Sequence, residues 1–253
     1  MHIAHPHSSF KTLRFLWFLT LSYTMVLVMA NWFDARLVRL FIFTTDAGTI
    51  IFPLTFLLSD LITEVYGYKQ ARRAIWTAFL FNAVFILYGQ LIIHLPSPSY
   101  YTQNAAFDQL LKMSSRIILA STLSYLCSEP LNTYVLAKLK IQTEGHYMWL
   151  RFVCSTGVAS GVDSFIFSMI AFYGVMEGVY LLSLMITMWF LKVLIETLGL
   201  PLSLFLAKKL KRIEHMDIYD KHTRFNVFSL NTEYQAEDNL FRQKASLKSK
   251  MTP

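Results

Sequence analysis

Six stretches of mostly apolar residues, approximately 13 to 33, 47 to 66, 72 to 93, 115 to 138, 149 to 172 and 182 to 207, limit what this chain can fold into more than any other feature. Each is close to the length that crosses a bilayer, about 20 residues. The composition agrees. Of 253 residues 55% are hydrophobic and 15% charged, well under the roughly 25% charged of soluble domains, and the mean hydropathy is +0.42. The predicted class is an all-α integral membrane protein with six transmembrane helices.

A net charge of +7 could suggest a nucleic-acid partner, but the positions of the basic residues argue for none. Lys11 and Arg14 precede the first span, Lys69, Arg72 and Arg73 follow the second, Lys138, Lys140 and Arg151 flank the fourth-to-fifth connection, and Lys208, Lys209, Lys211 and Arg212 follow the sixth. With six spans all four groups fall on one side, which the positive-inside rule makes cytoplasmic. The other side carries Arg36, Arg39 and Lys112. Both termini are therefore expected in the cytoplasm. Three regions follow: an N-terminus over 1–12, a six-helix domain over 13–212 and a polar cytoplasmic tail over 213–253.

The His-rich start, Met1 to Phe10, has no clearly placed cleavage site after it, so the first span reads as retained. Cys127 and Cys154 have no metal-ligand spacing around them and read as packing residues. No metal or other cofactor is expected. The tail, with Phe225, Phe228 and Phe241 scattered along it, is expected as a short amphipathic helix or as disordered chain. Pro96 and Pro98 predict a turn and then a short interfacial helix, with Tyr100, Tyr101 and Phe107 at headgroup level.

Charged residues inside the spans are the second constraint, since each costs about 2.5 to 3.5 kcal/mol on insertion scales. Span two carries Asp60 and Glu64, one helical turn apart. Span four carries Arg116, then Glu129 and Asn132 around Pro130, whose missing N–H loosens the backbone. Span five has Ser155, Thr156 and Asp163, and span six has Lys192 and Glu196. Ser155, Thr156 and Asn132 suit helix-to-helix hydrogen bonding at least as well as ligand binding. Lys192 and Glu196, at i and i+4, could neutralise each other. That leaves Asp60, Glu64, Glu129 and Asp163 with Arg116 as the buried cation, a surplus of acid. Such a surplus calls for protonation or for a donor-rich or cationic ligand, and either suggests a route through the membrane.

Ser59-Asp60-Leu61-Ile62-Thr63-Glu64-Val65-Tyr66-Gly67-Tyr68, with Ala71-Arg72-Arg73, resembles the bacterial queuosine precursor transporters, also called the vitamin uptake transporter family. Further matches are Arg116 with Ala120-Ser121, Ser155-Thr156 before Asp163 and Ile170-Ala171-Phe172, and Lys192-Val193-Leu194-Ile195 before Pro201. The likeness covers about residues 13 to 210. It implies six helices in the inner membrane and import of a 7-deazaguanine base, the cyano or the aminomethyl form, for queuosine in tRNA. Family members often have Gln and Asp where this chain has Glu129 and Asn132.

A deazaguanine offers a ring N–H beside an exocyclic amine, and one carboxylate can accept both. Asp163 or Glu129 is the expected acceptor, with Asn132, Lys192, Glu196, Ser155, Thr156 and Arg116 around it and Trp189 or Tyr125 stacking on the ring. Ordinary packing is the commoner role for either aromatic. Asp60 and Glu64 lie nearer the cytoplasm beside Arg72 and Arg73, and are expected to gate or to relay protons. No nucleotide-binding motif is present, so a homodimer and an energising partner subunit both stay open. The six-span layout also resembles the substrate-binding subunits of energy-coupling-factor transporters. The rival from another class is an intramembrane aspartyl-type enzyme built on Asp60 and Asp163. However, Ala159-Ser160-Gly161-Val162-Asp163 lacks the Gly-x-Gly-Asp pattern of such proteases.

Overall fold

The computed structural model describes residues 13–40, 43–98, 103–113 and 115–241, so Met1 to Phe10, Lys11, Tyr100 and Tyr101 lie outside the described residues. In chain order come α1 (Leu16–Phe33), a hairpin of β1 (Leu37–Leu40) and β2 (Phe43–Asp46), α2 (Gly48–Ile51), α3 (Pro53–Tyr66), α4 (Tyr68–Ile92), α5 (Asn104–Met113), α6 (Ser115–Gln142), α7 (Met148–Phe172) and α8 (Gly178–Glu214). The molecule is an all-α membrane protein. Five segments, α1, α2 with α3, α4, α7 and α8, are long and apolar enough to cross a membrane. The sixth long helix, α6, is diluted by Ser121, Ser124, Ser128, Glu129 and Asn132, all of which it buries against its neighbours.

The expected second span is divided. Pro53 cannot donate to the carbonyl one turn before it, so α2 stops at Ile51 and α3 restarts on Pro53 in nearly the same direction. The hairpin occupies the loop expected to hold only Arg36 and Arg39, with Leu37 paired to Asp46 and Leu40 to Phe43. Four residues per strand are too few for a period of two to stand out among apolar segments. The short helix expected after Pro96 and Pro98 forms as α5.

α3 occupies the middle, packed against α1, α4, α6 and α8. Of the 18 most apolar consecutive residues in the α2–α3 segment 78% are buried, against 17% of those in α4. α4 turns Leu80, Phe81, Val84, Leu87 and Leu91 outward, where lipid covers them. Cys127 and Cys154 also lie on the outer surface and not in the core.

α8 runs for 37 residues, about 55 Å at 1.5 Å per residue, so its Lys208 to Arg212 turns project beyond a hydrocarbon core of about 30 Å. As far as Asn239, the described part of the tail beyond it is neither an α-helix nor free. Residues 215–239 lie across the basic ends of α4, α6 and α8 in extended turns, with one 3-10 turn at Ala236–Asp238. Arg72 donates to the carbonyls of Asn226 (2.8 Å) and Asn231 (2.5 Å), and the Trp76 indole to that of Val227 (2.8 Å). Phe225 seats edge-on between Tyr68 and Tyr134, and Phe228 against Trp76. The Tyr234 hydroxyl donates to Asp220 and accepts from the Lys69 backbone, while burial and the Asp220 carboxylate push its phenol well above the ordinary range.

Gly67 makes this docking possible. It holds φ +84° between α3 and α4, and a Cβ there would run into Tyr234 and Ile218 of the tail. Gly67→Ala combines a backbone conformation (φ +84°, ψ +169°) essentially reserved for glycine, costing about 1–3 kcal/mol, with that collision. It is expected to lift the tail, so protease should cleave between 215 and 241 faster than in the parent protein. An unchanged cleavage rate would remove Gly67 from this role.

Candidate functional site

The buried polar groups form a file running along the bundle from the hairpin to the basic end. At the hairpin end, Asp46 accepts from the Thr49 backbone (2.7 Å) and hydroxyl (2.6 Å), fixing the first turn of α2. Ser121 of α6 donates to Asp34 (3.0 Å) and to Asn31. Burial and the adjacent Asp46 carboxylate push the Asp34 carboxyl well above the usual range. Asp34, Asp46, Thr49 and Ser121 line a narrow cleft together with Asp163 and Lys192, with room for about one water.

Next along the file, Lys192 of α8 forms an ion pair with Asp163 of α7. Both are almost wholly buried. Ser128 also donates to Asp163 (3.2 Å), and the lysine nitrogen stands 4.5 Å over the Phe52 ring. Lys192 therefore does not neutralise Glu196, its neighbour one turn on. It reaches across to the facing helix.

Glu196 is left among acids. Asp60, Glu129 and Glu196, from α3, α6 and α8, are all fully buried and lie within electrostatic reach of one another. Asn132 gives its amide to Asp60 (2.7 Å) and to Ser59 (3.2 Å). Both oxygens of Glu129, both of Glu196, Asp60 Oδ2 and Asn132 Oδ1 have no hydrogen-bond partner. The hydroxyls of Tyr23, Thr55 and Ser59 surround Glu129, but each is spent elsewhere, on Tyr125, the Phe52 carbonyl and the Phe56 carbonyl. Thr156, Ser160 and Ser164 add three more buried hydroxyls without partners, one turn apart on a single face of α7. An unpartnered buried polar atom costs about 1–3 kcal/mol. Their concentration here singles out this cluster as the candidate site.

At the basic end Glu64 is gripped by three cations. Arg151 binds it through two hydrogen bonds (2.9 and 2.7 Å), Lys211 makes an ion pair, and Lys140 stands 3.8 Å away. Lys140 also donates to the Glu64 and Ile218 carbonyls. Asp217 of the tail balances Lys140 (2.9 Å) and Lys211 (2.7 Å).

Several expected members stand elsewhere. Arg116, expected as the buried cation, is exposed and donates to the Ile170 and Tyr173 carbonyls at 2.6 Å, closing the end of α7. Trp189 is 43% exposed and donates to the Gly157 carbonyl on the outer seam of α7 and α8, away from the acids. Tyr125 is buried but holds Tyr23 and the Ile75 carbonyl. Ser155 bonds back to Phe152, whereas Thr156 is unpartnered. Arg72 holds the tail and neither acid. Asp60 and Asp163 are engaged separately, by Asn132 and by Lys192, and do not form the dyad of an aspartyl enzyme. Among the described residues, Arg151, Lys140, Lys192 and Lys211 pair with the acids of the file. Arg151 and Lys140, read as rim markers, fold inward, and only their proximity to span ends hinted at it. Asp34 and Asp46 flank the first outer loop and carried no periodic signal.

A family model described as "Putative vitamin uptake transporter" matches residues 46–206. A "Probable queuosine precursor transporter" of Bacillus subtilis is 30% identical over 186 residues, 72% of this chain and 80% of that protein. One of the same name from Haemophilus influenzae is 30% identical over 134 residues, 53% of this chain and 54% of its own length. The Escherichia coli "Queuosine precursor transporter" is 28% identical over 159 residues, 62% of this chain and 69% of its own length. No solved structure matches the chain. The family match takes in Asp46, the Lys192–Asp163 pair and the three central carboxylates, while α1 and the tail lie outside it. With that likeness across most of the file, and apolar helices around it, the chain is a multi-pass bacterial membrane transporter and not an enzyme, and it belongs to the vitamin uptake transporter family.

Proposed function

We propose that this protein imports a queuosine precursor, a 7-deazaguanine base, across the inner membrane on the cluster formed by Asp60, Glu129, Asn132 and Glu196. Six helices cross the bilayer in this reading, with both termini and the basic end in the cytoplasm. One observation carries it: six acceptor oxygens of these residues are buried without a donor. A deazaguanine brings several N–H donors on one flat ring and matches a site short of donors. Three carboxylates without a cation of their own favour the aminomethyl form, whose ammonium would supply the missing charge. The names of the Bacillus and Escherichia coli relatives support the same substrate class.

Glu64, with Arg151, Lys140, Lys211 and Asp217, serves as the inner gate, and Asp60, one turn before Glu64 on α3, links the gate to the base cluster. Arg72 contributes by holding the tail, which carries Asp217 into that network. The Asp163–Lys192 pair closes the outer end.

The test uses cells unable to make the precursor, fed either base, with queuosine measured in their tRNA. Restoration only when this protein is present is expected. Glu129→Gln and Glu196→Gln, at equal membrane levels, should each lower uptake about 10- to 100-fold, the worth of a charge-assisted hydrogen bond of about 1.5–3 kcal/mol. Equal restoration without the protein would sink the assignment.

A further inference from the structure

Two grooves open onto lipid near the basic end, and one arginine borders both. The larger, about 730 Å³, runs between α1 and α4 past Trp17, Thr20, Leu21 and Phe81. The other, about 330 Å³, lies between α4 and the tail turn, along Leu80 and Leu230. Arg73 and Thr77 line both.

Arg73 is also a cation without an acid. Among the described residues no hydrogen bond or ion pair engages its guanidinium, whereas Arg72, Arg116, Arg151, Lys140, Lys192 and Lys211 all hold protein oxygens. Neither groove has a carboxylate in its lining. Arg14 stands exposed next to Leu13 on the rim of the larger groove.

Depth fits as well. Arg73 is five residues into α4, about 7–8 Å from its end, and Leu80 and Phe81 lie about 10–12 Å deeper at 1.5 Å per residue. Trp17 and Trp76 mark the interfacial level on α1 and α4. Leu230, 95% exposed, would be unfavourable against water but not against an acyl chain.

We propose that Arg73 is the headgroup site of one anionic diacyl glycerophospholipid, its phosphate on the guanidinium and its two chains lying one in each groove, astride α4. Basic pockets between membrane helices are suited to anionic headgroups. Arg donates to phosphate through a fixed fork. Because the lipid would touch the tail turn and α1 together, it would brace the tail that carries Asp217.

Full-length protein in nanodiscs of phosphatidylcholine with phosphatidylglycerol, analysed by native mass spectrometry, tests this directly. A single phosphatidylglycerol adduct is expected on the parent protein, at about tenfold lower occupancy on Arg73→Gln, and unchanged on Lys208→Gln, an exposed cation outside both grooves. Leu21→Trp keeps the charge but fills the larger groove, and should also lower occupancy. It decides the matter if Arg73→Gln fails to fold. Inorganic phosphate should not displace the adduct. Equal occupancy for phosphatidylglycerol and phosphatidylcholine, or an adduct untouched by both groove variants, would overturn the proposal.

Discussion

Glu64→Ala should leave little folded protein in the membrane. The carboxylate is fully buried and holds the Arg151 guanidinium through two bonds, with Lys211 and Lys140 on the same charge. Removing it would leave Asp217 alone against three cations. Breaking a buried ion pair from one side costs about 3–5 kcal/mol, a large part of the roughly 5–15 kcal/mol that holds a typical domain together. The monodisperse yield and the thermal midpoint in detergent measure the loss. Glu64→Asp keeps the charge but shortens the reach and should lose less. Glu64→Leu combined with Arg151→Met, apolar on both sides, should recover part of the midpoint that Glu64→Leu alone forfeits. A melting curve of Glu64→Ala superimposable on that of the parent would show that the network holds nothing up.

The second large effect is expected at the outer closure. Asp163→Asn strands the Lys192 ammonium, and Lys192→Met strands a carboxylate beside Glu129 and Asp34, which already crowd that part of the file with acid. Cutting one side of such a pair costs about 2–5 kcal/mol, or about 30- to several thousand-fold in whatever equilibrium the pair controls. Lys192→Met should be the more damaging, since it adds an unbalanced negative charge where Asp163→Asn removes one. The double variant separates structure from function. It should regain thermal stability, because neither charge is stranded, yet fail in precursor uptake if the pair opens and closes during transport. Recovery of stability and uptake together would reduce the pair to a structural bridge.

The all-α membrane class and the approximate places of the long helices are legible in the sequence because a bilayer imposes a length on apolar runs. Gly67 likewise announced a boundary, and α4 begins on the next residue. Partner choice was not legible. Lys192 stands at i and i+4 to Glu196, which favours a local pair on an isolated helix, yet packing of α8 on α7 presents Asp163 closer. Arg116 and Arg151 both sit near span ends, and nothing local tells the one that ties backbone carbonyls from the one that enters the acid network. The tail, without a clear periodicity, reads in the sequence as a short amphipathic helix or as disordered chain. Its order comes from donors on α4, Arg72 and Trp76, more than 140 residues earlier in the chain.

A central helix that exposes little beyond Leu54 has a consequence for how such a protein can change over time. α3 spends its hydroxyls on carbonyls one turn back, through Thr55, Ser59 and Thr63, and apart from the exposed Leu54 near its start it is packed against other helices. Drift on α4 is tolerated by any apolar residue on its outward side, but drift on α3 must be answered by one of four neighbours. Its sequence should therefore be the slowest clock in the chain, and the surrounding helices are free to diverge, and to tilt, around an axle that stays still.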